Sequence, residues 1–166
     1  MTSDVKPIFA SRAPARPAIS TLLVATLTST AALTALVALG ALSGHLLLIP
    51  PMAASMALIA GAPSLPLAQP RHVIGGQVIS AIVGVTVGLA SHSLWAAAIA
   101  GGFALGAMLL TRTSHSPAAA TAVIGAMLTQ GHISFVICAG LGAGVLVLFG
   151  LLRSTLKRVA YPAYWW

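Results

Sequence analysis

The chain has 166 residues, 58% of them hydrophobic and only 5% charged. A water-soluble domain carries roughly 25% charged residues, so this composition excludes a soluble fold and points to an integral membrane protein. Eight Lys and Arg stand against one acidic residue, Asp4, giving a formal charge of +7. With one carboxylate side chain there is no pair for acid–base catalysis, no ligand set for a hard cation and no acidic ring for a cation channel. The chain is therefore not expected to be an enzyme. Its basic residues flank apolar runs instead of forming a stripe, which argues against nucleic acid as a partner. The single cysteine, Cys138, offers neither an intrachain disulfide nor a cysteine metal site, and no cofactor is implied.

Residues 1–17 form a polar, proline-bearing segment expected on the cytoplasmic side. The apolar run from about 18 to 42 is longer than a signal-peptide core of roughly 7–15 residues, so it reads as an uncleaved first span. It carries Thr21, Thr26, Thr28, Ser29, Thr30 and Thr34, hydroxyls of the kind that pack membrane helices together. After a turn at 43–45 and the short run Leu46 to Ile49, Pro50-Pro51 heads a segment ending near Ala62. Its 12 or so residues would rise about 18 Å, short of the ~30 Å hydrocarbon core. A third span is expected over about 73–90, a turn at 91–93, and a fourth span over about 94–111. Beyond the polar break at 111–116, Pro117 heads a second short segment, Ala118 to Leu128, and a last long span covers about 133–152. Residues 153–166 close the chain with Arg153, Lys157, Arg158, two tyrosines and two tryptophans, an interfacial anchor.

Long apolar runs without period-two alternation make the expected fold all-α: a polytopic helical membrane protein with one transmembrane domain over 18–152. Four long spans and two short Pro-headed segments are expected. Pro51 to Ala60 aligns without gaps on Pro117 to Ala126, and Ser55 falls on Thr121. The repeat unit is then long–short–long. If all six segments cross, every Lys and Arg lies at the N-terminus, in 63–72, in 111–116 or at the C-terminus, and the other three turns carry none. Positive charge marks the cytoplasmic side, so both termini are expected in the cytoplasm and the two triplets form an inverted 3+3 repeat. Short, Pro-interrupted segments at matching positions of such halves point to a site near the midplane.

The stretch Gly61-Ala-Pro-Ser-Leu-Pro-Leu-Ala-Gln-Pro-Arg-His-Val-Ile-Gly-Gly76, followed by Thr111-Arg-Thr-Ser-His-Ser-Pro117, resembles the signature of the HPP family of integral membrane proteins. The resemblance covers about 18–152. Here Ser116 stands where the family has the first proline of its His-Pro-Pro, and Ala118-Ala119 where glycines are common. The family is described with four transmembrane helices and has been linked to nitrite transport in bacterial and plastid membranes. The resemblance therefore implies a small-anion transporter, here in a bacterial-type inner membrane.

A helix N-terminus offers unpaired N–H groups and partial positive charge to an anion. If the Pro51 and Pro117 helices begin within the bilayer, their N-termini would meet from opposite sides. Ser55 and Thr121 would then donate hydroxyls, and Ala53, Ala54, Ala119 and Ala120 would permit close backbone approach. Arg71 and Arg112 are candidate anion attractors at a pore mouth. His115 is a candidate substrate contact or proton carrier. No metal site is expected from the remaining histidines. The expected partners are a small anion and the lipid bilayer; a homo-oligomer is compatible with so small a chain. The rival reading is a non-transporting integral membrane subunit or assembly factor.

Overall fold

The computed structural model describes residues 15–157 and 160–165. Most of the polar segment 1–17 lies outside them, as do the side chain of Lys157, all of Arg158 and Trp166. The described residues form six α-helices and one 3₁₀ turn, with no strand among them: α1 Ile19–Ser43, α2 Pro50–Gly61, the 3₁₀ turn Pro66–Ala68, α3 Pro70–Gly88, α4 Leu94–Leu110, α5 Ser116–Met127 and α6 His132–Lys157.

Local chemistry sets these boundaries. Gly44, at φ 70°, closes α1 in the left-handed conformation that glycine tolerates best. Prolines occupy the first turns of α2, α3 and α5, where a missing N–H costs no helical bond. The Ser93 hydroxyl caps α4 by accepting the Ala96 N–H at 3.2 Å. Three helices are long and apolar enough to cross a membrane: α1, α3 and α6 up to Leu156. The fourth expected long span, α4, has 17 residues and falls just below that length. Thr111 ends it, because the chain must turn there to begin α5. Both Pro-headed helices have 12 residues.

The principal packing pairs are α3 with α5, α3 with α4, α4 with α5, α3 with α6, α1 with α6, α1 with α2, and α2 with α6 and α5. Small residues bring α3 and α5 together running in the same direction. A Cβ at Gly84 would overlap the Ala122 backbone, and one at Gly88 would come within 2.9 Å of the Ala126 carbonyl oxygen. α2 and α6 are parallel as well, with Met52 against Gly142 and Ile59 against Gly150. These contacts also fix depth. Gly142 lies ten residues into α6, about 15 Å from its start, so α2 begins well inside the bundle after the extended, largely buried stretch Leu47–Ile49. His115, at the start of α5, packs on Gly76, six residues into α3. Both short helices start inside the bundle.

One end of the bundle gathers the loops before α3 and α5 and the C-terminal tail. Arg71 donates from Nε to the Arg112 carbonyl and from Nη2 to the Thr111 carbonyl, both at 3.0 Å. The Ala163 N–H donates to Gln69 Oε1 at 2.8 Å, and Gln69 Nε2 donates to the carbonyls of Pro63 and Leu65. The turns before α2, α4 and α6 lie at the other end.

Candidate functional site

Where α2, α3 and α5 meet, four polar side chains form one hydrogen-bonded line, each fully buried. The sequence singles out three of them: Ser55 on α2, Thr121 on α5, and His115 at the position preceding α5. The fourth, Gln77 on α3, joins them. The Thr121 hydroxyl donates to Gln77 Oε1 by a short bond. Gln77 Nε2 donates to Ser55 Oγ at 3.0 Å, and Ser55 Oγ lies 2.8 Å from His115 Nε2. His115 Nδ1 lies 2.7 Å from the Leu67 carbonyl. Because a carbonyl only accepts, Nδ1 carries a hydrogen.

The remaining choice is a proton position at Ser55. Its hydroxyl also lies 2.8 Å from the Pro51 carbonyl, the one four residues back on its own helix. A neutral imidazole accepts the Ser55 hydrogen at Nε2. A protonated ring donates there instead and turns that hydrogen to Pro51. The line therefore accommodates either state of His115 through rotation of one hydroxyl. One turn along α3, Ser80 is also fully buried, and its hydroxyl has no hydrogen-bond partner.

The alanines behave differently. Ala53, Ala54 and Ala120 are exposed and Ala119 is half-buried. Ala53 and Ala54 lie two and one residues before Ser55, roughly 200° and 100° around the helix, and cannot share its face. The helix starts offer few N–H donors. Pro50, Pro51 and Pro117 have none, Met52 N–H bonds to the Ile49 carbonyl and Ala118 N–H to that of His115. Donors at this junction come from side chains.

Arg71 and Arg112 are at the loop-bearing end, lining a polar cleft of about 530 Å³ with His72 and Tyr164. His72 Nδ1 donates to the Ser114 carbonyl at 2.9 Å, which leaves Nε2 to accept the Tyr164 hydroxyl at 3.1 Å. Arg112 has φ 57°, a left-handed conformation unusual for a residue with a Cβ. Its carbonyl is held there by Arg71. Among the described residues no three His, Cys, Asp or Glu side chains converge as a metal site would require.

Sequence reasoning missed Gln77 and Gln69. The available signal for Gln77 was a carboxamide inside an apolar span, which needs partners in lipid, with Ser80 and Gly84 following on the same helical face.

The arrangement is that of a helical membrane bundle with two short internal helices. The profile of the HPP transmembrane region matches residues 14–162, and the chain belongs to that family. Two transmembrane proteins of Dictyostelium discoideum are similar to it. One is 34% identical over 124 residues, 69% of this chain and 40% of the relative; the other is 34% identical over 129 residues, 72% and 45%. The chain thus spans less than half the length of these curated relatives. No solved structure matches.

Proposed function

We propose that this protein moves a small inorganic anion, such as nitrite, across a bacterial-type inner membrane through the junction of α2, α3 and α5. The observation that carries this reading is the buried line Thr121–Gln77–Ser55–His115, drawn from three helices at the point where two helices begin inside the bundle. Polar side chains within a membrane bundle mark solute pathways. They are donors and acceptors that can exchange one another for a passing anion. The unpartnered Ser80 hydroxyl supplies a further donor beside them. The cleft with Arg71 and Arg112 would raise the local anion concentration at one mouth. The reading includes no catalytic step.

An inverted 3+3 repeat completes the proposal. Exchanging α1 with α4, α2 with α5 and α3 with α6 turns the list of principal helix pairs into itself. The offset that relates Ser55 to Thr121 also relates Gly76 to Gly142 and Gly84 to Gly150, glycines that each face a neighbouring element, in ordinary contact at Gly142 and more tightly at the other three. Arg71, Arg112 and Arg153 share one end of the bundle, which the positive-inside rule assigns to the cytoplasm together with both termini.

The decisive experiment is flux of nitrite, nitrate, formate and bicarbonate into proteoliposomes, with Gln77→Leu, Thr121→Val and His115→Ala beside wild type. Selective flux that falls in all three supports the junction as the pathway. Flux unchanged in all three moves the pathway elsewhere. No flux of any anion through folded protein favours the second reading, a non-transporting membrane subunit. Mutual satisfaction of the four side chains is the observation on that side, since such a network also locks helices together.

A further inference from the structure

We propose that Arg153 and Tyr161 form a binding site for a phosphate-class oxyanion at the Arg-bearing end of the bundle, separate from the α2–α5 junction. Arg153 continues the core face of α6, one turn beyond Gly150 and two beyond Leu146. It is 5% exposed, and its Nε has no hydrogen-bond partner. Tyr161, in the tail after α6, is also 5% exposed, and its hydroxyl is equally without a partner.

Both residues lie near Gly150 of α6. Tyr161 Cε1 sits 2.6 Å from where a Cβ would stand at Gly150. Arg153 follows on that face, about 4.5 Å further along the axis. Burial also raises the Tyr161 pKa, so the phenol stays an O–H donor. Two buried donors without acceptors, one of them cationic, call for a ligand. That ligand must accept hydrogen bonds and carry negative charge. A guanidinium fork matches phosphate oxygens bidentately. The chain's one acidic residue, Asp4, lies outside the described residues, and none of these supplies a carboxylate side chain. Tyr164 and Trp165 on the same tail are residues favoured at headgroup level, where phosphate is abundant. A lipid headgroup and free phosphate offer the same chemistry.

The test titrates full-length protein in phosphate-free maltoside micelles by calorimetry. One arm uses inorganic phosphate and another dihexanoyl phosphatidylglycerol, with chloride at matched ionic strength as control. Saturable binding is expected in at least one arm: phosphate marks a free oxyanion, and the lipid alone marks a headgroup. Tyr161→Phe keeps the ring against Ile59 and Gly150 and is expected to weaken binding about tenfold, the value of one hydrogen bond. Arg153→Gln weakens it further, whereas Arg16→Gln, at the exposed arginine before α1, leaves it intact. No binding above chloride in either arm overturns the proposal. So does an unchanged Kd in Tyr161→Phe, which decides the matter even if Arg153→Gln does not fold.

Discussion

α2 and α5 are built to one plan and carry different chemistry. Each has 12 residues, proline at its second position and a buried hydroxyl at its sixth, Ser55 or Thr121. Each starts inside the bundle beside a glycine of a parallel helix, Gly142 for α2 and Gly76 for α5. Yet the residue before α2 is the buried Ile49, whereas the one before α5 is His115. At the position corresponding to Gln77, α6 carries the buried Ala143. The shared features are those that seat a short helix among long ones. The differing features are polar, and they concentrate on the α3–α5 side. Packing therefore repeats while chemistry does not, and variants of the two halves should differ accordingly.

The largest expected difference lies at the paired glycines. Any Cβ at Gly84 meets the Ala122 backbone, which cannot rotate away. Gly84→Ala should cost about 3 kcal/mol. At Gly150 the obstacles are the Ile59 Cγ2 and the Tyr161 ring, ends of side chains that can shift. Gly150→Ala should cost about 1–2 kcal/mol. Thermal unfolding in one detergent compares them, and equal losses would mean that α2 and α5 are seated by the same contacts after all.

Next comes the polar line. Gln77→Leu removes a partner from both Ser55 and Thr121, an expected loss of about 1–3 kcal/mol. If the line is the pathway, anion flux falls at least tenfold in protein that remains folded. His115→Ile makes the start of α5 resemble the start of α2. It should reduce flux as much as Gln77→Leu, because Ser55 then has only Pro51 to donate to. Full flux in His115→Ile would remove the imidazole from the mechanism and leave the asymmetry a matter of packing alone.

Much of this frame was legible in the sequence. Proline at the head of each short segment and the matched Ser55 and Thr121 foretold two short helices, whereas their start inside the bundle entered only as a condition. The distribution of Arg foretold which loops share an end. The helix-start alanines fall off the face of Ser55 and Thr121 for a local reason, since neighbours one or two apart on a helix face different ways. The prolines that announce the helices also remove some of the N–H groups an anion would have used. Gln77 was hidden for a tertiary reason. Its role depends on α3 packing along α5, which rests on glycine contacts at 76, 84 and 88 whose main partners lie some 38 residues further along the chain, and on α2 packing directly on α5 so that Ser55 comes within reach. The fourth span came out shorter than expected because the left-handed turn at Arg112 begins directly after Thr111.

The smallest expected effect comes from that turn, and it separates stability from transport at the basic mouth. A residue with a Cβ held at positive φ stores about 1 kcal/mol of strain that glycine does not. Arg112→Gly should therefore raise the unfolding free energy by up to about 1 kcal/mol, although it deletes a charged side chain. The Arg71 Nε bond to the carbonyl at position 112 survives, since at that position it uses only the backbone. If Arg112 steers anions, the same variant should lose flux at low ionic strength, and the loss should shrink as salt screens the field. Added stability with flux unchanged at every salt concentration would make Arg112 a topological anchor. The functional asymmetry of the two halves would then rest on Gln77 and His115.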